Sequence, residues 1–235
     1  MILLLLLLIP AVTGLLVLFA KKDAFARVLA LSAAGANLLL TIILIATDHS
    51  SPFALPQISY LGLNFVLGVD GTSLVMLLLT NLLFPFVIAS GLCRKQEQVP
   101  LLNALILFTQ AALVGVFLAQ NAFLFYVFWE MTLIPIYFIL LLWGDENRRA
   151  ITLKFFIYTV LGSLFLLFGI IYLYHLTPGT HTTDFAVLSQ LEIPANVQVW
   201  LFWILFIAFA IKMPVFPFHS WQPSTYTMAP TQGVM

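Results

Sequence analysis

Charge is scarce in this sequence. Only 8% of its 235 residues are Asp, Glu, Lys or Arg, against about 25% in an average soluble domain. With 63% hydrophobic residues and a mean hydropathy of +1.11, the chain cannot furnish a water-facing surface, so lipid must be its main solvent. Cysteine is nearly absent. The lone Cys93 excludes an internal disulfide and any CxxC metal or redox motif. The four histidines, His49, His175, His181 and His219, share no short ligand spacing, which argues against a haem or metal site made by this chain alone. No glycine fingerprint follows a strand, so nothing marks a nucleotide or flavin site. The formal net charge is zero, which gives no case for a nucleic-acid partner.

Positive charge is also missing ahead of the first apolar run. In "MILLLLLLIPAVTGLLVLFAKK" the charges Lys21 and Lys22 come after the run. A secretory leader has the reverse order, so this segment is expected to be a retained first span.

What is there is apolar length. Seven segments can cross roughly 30 Å of hydrocarbon at about 1.5 Å per residue: 2–20, 27–47, 72–92, 101–120, 122–143, 151–174 and 199–218. Backbone groups cannot go unpaired in lipid and no ten-residue alternating pattern occurs, so helices are expected. The fold class is an all-α polytopic transmembrane bundle, with spans one to four in 1–120 and spans five to seven in 121–235. Two connections are long, 48–71 and 175–198. In the second, Phe185, Leu188 and Leu191 are three apart after a potential cap at Thr183, which fits a short surface helix or an ordered loop. "GVDGTSL" at 68–74 is expected to turn the chain and cap span three through Asp70 or Thr72. Trp143, Trp200 and Trp221 fall near span ends and fit an aromatic belt, while Trp129 and Trp203 are expected to pack between helices.

The basic residues give an orientation. Lys21, Lys22, Arg27, Arg94, Lys95, Arg148, Arg149 and Lys154 fall on one side, and the loops 48–71, 120–122 and 175–198 carry no Lys or Arg. The positive-inside rule puts that side in the cytoplasm and the N-terminus outside.

Two charges escape this segregation. Glu130 is the only charged residue of 122–143, and Lys212 lies within "VWLFWILFIAFAIKMPVFPFHSW". Their expected depths are roughly 12 and 20 Å from the same side. Each costs about 2.5–3.5 kcal/mol to place ionised at a membrane centre. Low dielectric disfavours the charged form of each, and mutual attraction favours it. A pair so balanced can take up and release a proton, and its bland counterpart is a static buried ion pair. Pro214 and Pro217 lack the N–H that the carbonyls of Ala210 and Met213 would use, and Pro135 does the same to Met131. A helix broken near 213–218 and hydrated there is expected. His219 could carry a proton onward or be a plain interfacial histidine.

"FWEMTLIPIYFILLLWG", "KFFIYT", "FIAFAIKMPVFPFHSW…AP" and "LGVDGTSL" resemble the subunit M (NuoM) family of respiratory complex I, the proton-pumping NADH:quinone oxidoreductase. That family lies within a wider antiporter-like group that includes the Mrp cation/proton antiporter subunits. The resemblance covers essentially the whole chain and implies the N-terminal part of an antiporter-like subunit with a broken helix in span seven. It maps the family's central proton-channel residues onto Glu130 and Lys212. It implies further membrane-arm subunits as partners, including other antiporter-like ones. NADH, flavin, iron–sulfur and quinone are then expected only in partner subunits, with none in this chain, and the setting is a bacterial cytoplasmic membrane. The chain departs from the family in "WQPSTYTMAP", where Ser224 and Tyr226 stand in place of an acid and a histidine, so those roles are not carried over. It also ends at Met235, before the family's second inverted repeat, as a fragment or a split subunit would. An Mrp-type antiporter subunit, a purely structural membrane protein and a quinone-binding role remain as other readings.

Overall fold

The computed structural model describes residues 1–47, 52–58, 63–92, 96–179 and 181–235. His49, Cys93, Arg94 and Lys95 therefore lie outside the described residues. The chain runs α1 (Ile2–Leu18), α2 (Asp23–Thr47), β1 (Phe53–Ile58), β2 (Leu63–Leu67), α3 (Gly71–Ser90), α4 (Val99–Leu118), α5 (Ala122–Met131), α6 (Leu133–Trp143) and α7 (Arg148–Leu176). It continues through α8 (Phe185–Leu188), α9 (Ala195–Lys212), a 3-10 turn (Phe218–Trp221), α10 (Gln222–Met228) and α11 (Thr231–Val234).

Among the described residues, six helical segments are long and apolar enough to cross a membrane, with α5 and α6 together forming one of them. The 17-residue α1 is shorter, about 25 Å, at the low end of what can span. This is an integral membrane protein, and the outward faces say why. Leu5, Leu8, Val12 and Leu15 on α1 and Leu153, Ile157, Leu161 and Leu164 on α7 are exposed. In water such stripes would drive aggregation; in lipid they are the solvated surface.

Helix α4 is the hub, packed by α1, α2, α3, α5 and α6 and largely buried. A chain of amides crosses this part of the bundle. Pro10 has no N–H for the carbonyl of Leu6, and Asn37 Nδ2 donates to that carbonyl instead at 3.0 Å. Asn81 Nδ2 donates to Thr41 Oγ1 and Gln110 Nε2 to Asn81 Oδ1, each at 2.8 Å. All four polar side chains are fully buried, so α1 to α4 are held by hydrogen bonds where packing alone would not fix their register.

The connection 48–71, expected as a loop, contains an antiparallel β1–β2 hairpin with an irregular register between Leu55 and Ile58. Leu67 bridges Ala119, and Asn121 bridges Asp184, so the hairpin, the α4–α5 turn and the start of α8 are tied together at one end. The other end is tied as well: Arg27 Nη1 donates to the Leu92 carbonyl at 3.2 Å and Trp143 Nε1 to that of Glu97 at 2.9 Å. The second long connection holds a single helical turn, α8, with Asp184 rather than Thr183 at its N-cap. Thr183 is buried, its hydroxyl has no partner, and its carbonyl accepts from Ala122 N at 2.9 Å.

Candidate functional site

Span seven is where the structure departs from a regular helix. Helix α9 begins at Ala195, four residues before the expected start, and ends at Lys212 itself. Lys212 is thus a helix terminus rather than a mid-helix residue, and it lies about 27 Å along its helix, not 20. The reason is Pro214. Without its N–H the Ala210 carbonyl has no regular partner, and Val215 N reaches back to it at 2.9 Å. That shift deprives the Ile211 carbonyl, which is capped by the buried Trp221 indole at 2.9 Å. Trp221 is therefore a cap for the break, not an interfacial belt residue. The chain then turns through Phe218–Trp221 into α10. A cation at a helix C-terminus is also favoured by the helix dipole, by about 0.3–1 kcal/mol at exposed sites.

Span five is jointed as well. α5 ends at Met131 and α6 begins at Leu133, two residues before Pro135. Between them Thr132 Oγ1 donates to the Trp129 carbonyl at 2.7 Å. Glu130 is in the last turn of α5.

The third wall is α7, and two glycines bring it close to α9. A Cβ at Gly162 would meet Ile211 Cγ2 at 3.1 Å, and one at Gly169 would meet Leu205 Cδ2 at 2.8 Å. The first contact places Ser163 beside the end of α9 that carries Lys212.

These elements bring Glu130, Tyr126, Ser163, Trp129 and Lys212 together. Tyr126 and Trp129 of α5 pack in one apolar cluster with Leu166 and Ile170 of α7 and Ala208 of α9, which sets the turn carrying Glu130 against both helices. Lys212 Nζ sits over the Trp129 ring, 5.2 Å from its centroid, a cation–π placement. Phe209 packs edge-on to the same ring, with centroids 5.6 Å apart. Among the described residues no direct ion pair joins Glu130 and Lys212; Trp129, the neighbour of Glu130 in the chain, is the residue that touches Lys212. Trp129 packs between helices as expected, whereas Trp203 is 54% exposed on the outer face. His219 is exposed and lies against Phe216, ring centroids 5.6 Å apart, away from the cluster's contacts.

Tyr126 and Ser163 were not singled out by sequence reasoning. Tyr126 had a signal, since it stands four residues before Glu130 on one helix face. For Ser163 the signal is weaker: a Gly–Ser pair in an apolar helix marks close helix approach. Chemically the cluster offers one acid and one base, flanked by two hydroxyls. It can hold and pass a proton. Among the described residues no group of three or more His, Cys, Asp or Glu is arranged to hold a metal.

Residues 119–235 match the family model described as NADH:quinone oxidoreductase/Mrp antiporter, transmembrane. Over 241 residues the chain is 36% identical to F(420)H(2) dehydrogenase subunit M of Methanosarcina mazei, covering 97% of this chain and 49% of that protein. It is 34% identical over 228 residues to NADH-quinone oxidoreductase subunit M of Rhodobacter capsulatus, covering 90% of this chain and 44% of that protein. Among solved structures, a chain of respiratory complex I from Thermus thermophilus with bound NADH superposes with a TM-score of 0.86 at 29% identity, covering 97% of this chain and 47% of that one. The chain spans about half the length of the curated relatives it matches.

Proposed function

This chain belongs to the NADH:quinone oxidoreductase/Mrp antiporter transmembrane family, and we infer that it is a proton-translocating membrane-arm subunit of an NADH:quinone oxidoreductase. Electron transfer in other subunits drives it, and its own part is proton movement through Glu130 and Lys212. The observation that carries this reading is the convergence of a jointed span five and a broken span seven on these two charges, the only ones within those helices.

Two unit charges about 4 Å apart interact by about 4 kcal/mol at an effective dielectric near 20, and the interaction falls with separation. Ionised Glu130 near Lys212 favours the ammonium form. When Glu130 moves away or is neutralised, the low-dielectric surround favours loss of the lysine proton toward the next site. Both residues sit at helix joints, where small movements change their separation and hydration. In this reading water enters the break after Lys212, and His219 relays protons at that end of the path. The chain's two regions then divide the work, 1–120 as scaffold and 121–235 as proton path. The partners are other membrane-arm subunits, with NADH, flavin, iron–sulfur and quinone held among the remaining subunits. The membrane is the bacterial cytoplasmic membrane, with the N-terminus outside.

The test is proton uptake into vesicles carrying the intact assembly, measured together with the driving reaction. Glu130→Ala and Lys212→Ala are expected to abolish or sharply reduce uptake. Glu130→Asp is expected to do less harm than Glu130→Ala, and His219→Ala less than Lys212→Ala. Normal uptake in both alanine variants, with the assembly intact, would reduce the pair to a structural feature. Iron–sulfur subunits co-purifying with the chain are expected; an assembly without redox subunits would instead mark an Mrp-type antiporter.

A further inference from the structure

Lys154 stands in the second turn of α7, at the end where the chain gathers its basic residues. A lysine near the end of a helix in lipid ordinarily snorkels its amine to the interface. This one has a protein partner. Its Nζ donates to the carbonyl of Ser220 at 2.7 Å, 66 residues away in the sequence, in the turn that follows the break of span seven. The same Nζ lies 5.8 Å from the ring centroid of Tyr158, one turn along α7, a cation–π placement. Ser220 Oγ in turn donates to the Tyr158 hydroxyl at 3.0 Å. Lys154 and Tyr158 therefore grip one residue by its main chain and its side chain.

The neighbouring pair of residues repeats the grip. Phe155 packs on Trp221 with ring centroids 5.3 Å apart, and both are buried. Trp221 is the indole that caps the Ile211 carbonyl at 2.9 Å, and Ile211 is bonded to Lys212. Ahead of the break α7 meets Ile211 directly, at Gly162. Helix α7 thus holds span seven on both sides of Pro214 and Pro217, where the backbone has lost the ladder that would keep its two parts in line. Bonds from a charged donor are the stronger kind, and the Ser220 carbonyl receives one.

We propose that Lys154 is a positioning residue for the proton path: by holding Ser220 against α7 it keeps the Trp221 indole on Ile211, and so fixes the end of α9 that carries Lys212. This rests on the proton-transfer reading of Glu130 and Lys212. Its consequence is that α7, the end of α9 and the turn 218–221 move as one body. Helix α5, packed on them through apolar contacts, is then the element that shifts Glu130 relative to Lys212.

Hydrogen exchange of the purified assembly, read by mass spectrometry, tests the clasp. The amides of Val215 and Phe218 are bonded to the carbonyls of Ala210 and Val215 at 2.9 and 2.7 Å, so they report on the break. In Lys154→Met they are expected to exchange about tenfold faster, the lower end of what losing a bond to a charged group does. Amides of α9 ahead of Phe209 should be unchanged, and Lys154→Arg, which keeps a charged donor, should stay near wild type. Because Lys154 acts through Trp221, the double variant Lys154→Met/Trp221→Phe should exchange no faster than the faster single one. Proton uptake, measured with the driving reaction, is expected to fall about tenfold in Lys154→Met and to recover in Lys154→Arg. Unchanged exchange in Lys154→Met would leave a lysine that serves only the interface. Additive effects in the double variant would cut the link to Trp221, and normal uptake with the break loosened would remove the positioning role. Each of these overturns the proposal. Should Lys154→Met fail to assemble, Lys154→Gln, uncharged and one bond shorter, must loosen the same amides, and unchanged exchange there overturns it equally. Normal uptake in both Glu130→Ala and Lys212→Ala would refute the transport reading itself, an outcome separate from any exchange rate at the break.

Discussion

Asp70 decides where the third helix begins. Its side chain accepts from Ser73 N at 2.7 Å, the N-cap geometry that satisfies a helix's first free N–H groups. The same bond holds the Asp70 carboxyl below its usual range. A carboxylate depressed in the folded state contributes stability that is present above the unfolded value and is lost as pH falls through the folded one. At this exposed site the contribution is at the low end of the cap scale of about 0.5–2 kcal/mol. Asp70→Ala is expected to lower the thermal midpoint of the purified protein slightly at neutral pH. Asp70→Asn should keep the cap and remove its loss on acidification, which parallel melts at neutral and acid pH would check. An Asn variant as acid-sensitive as wild type at this helix end would refute the assignment. Asp70 was legible in the sequence because a lone carboxylate before an apolar run has few other uses. Glu130 and Lys212 were legible for a similar reason, as charges where lipid forbids them. Ser163 was not, since a serine that back-bonds within its helix is common and only the close approach of α7 to α9 at Gly162 sets it beside the end that carries Lys212. Thr183 was misread as a cap because burial, which the sequence does not print, takes its hydroxyl out of reach of α8.

The elements follow from apolar length, and their ends follow from backbone accounting. The spans could be placed from hydropathy alone, because helices solvated by lipid need no amphipathic pattern. The hairpin could not: β1 contains Pro56, which demotes a run as a strand, and its pairing to the α4–α5 turn is a tertiary event. The start of α9 was hidden by Gln198, whose side chain folds back to the Ile193 carbonyl at 2.6 Å. The break after Lys212 was visible in Pro214 and Pro217, but its repair was not. Trp221 is the repair. It caps Ile211 and packs on Phe155, with ring centroids 5.3 Å apart. Trp221→Phe keeps most of the ring contact and removes the donor, leaving a buried carbonyl unpaired at a cost of about 1–3 kcal/mol. Thermal stability of the assembly is expected to fall accordingly, with faster amide hydrogen exchange confined to 211–221. Unchanged exchange there would mean that the indole bond does not secure the break.

At the scale of the whole molecule, the two ends of the bundle differ in chemistry and each is tied within itself. One end carries Lys21, Lys22, Arg148 and Arg149, and its segments are joined by the bonds from Arg27 to Leu92 and from Trp143 to Glu97. The opposite end gathers the hairpin, the α4–α5 turn and the approach to α8, through Gly68 N to the Leu118 carbonyl at 2.9 Å and Phe185 N to that of Gln120 at 3.2 Å. No Lys or Arg occurs in 48–71, 120–122 or 175–198. By the positive-inside rule such segregation predicts that the basic end lies in the cytoplasm. In the orientation proposed above, α5 and α9 both start at the uncharged end, which faces outward, and the break after Lys212 lies on the cytoplasmic side of that lysine. Single cysteines at Glu192→Cys and Glu146→Cys, in a Cys93→Ser background, test this in intact cells and inverted vesicles with a membrane-impermeant maleimide. Glu192→Cys should label in cells, and Glu146→Cys only in inverted vesicles. The reverse pattern would invert the molecule, and the lysine at the end of α9 would then lie on the outward side of the path.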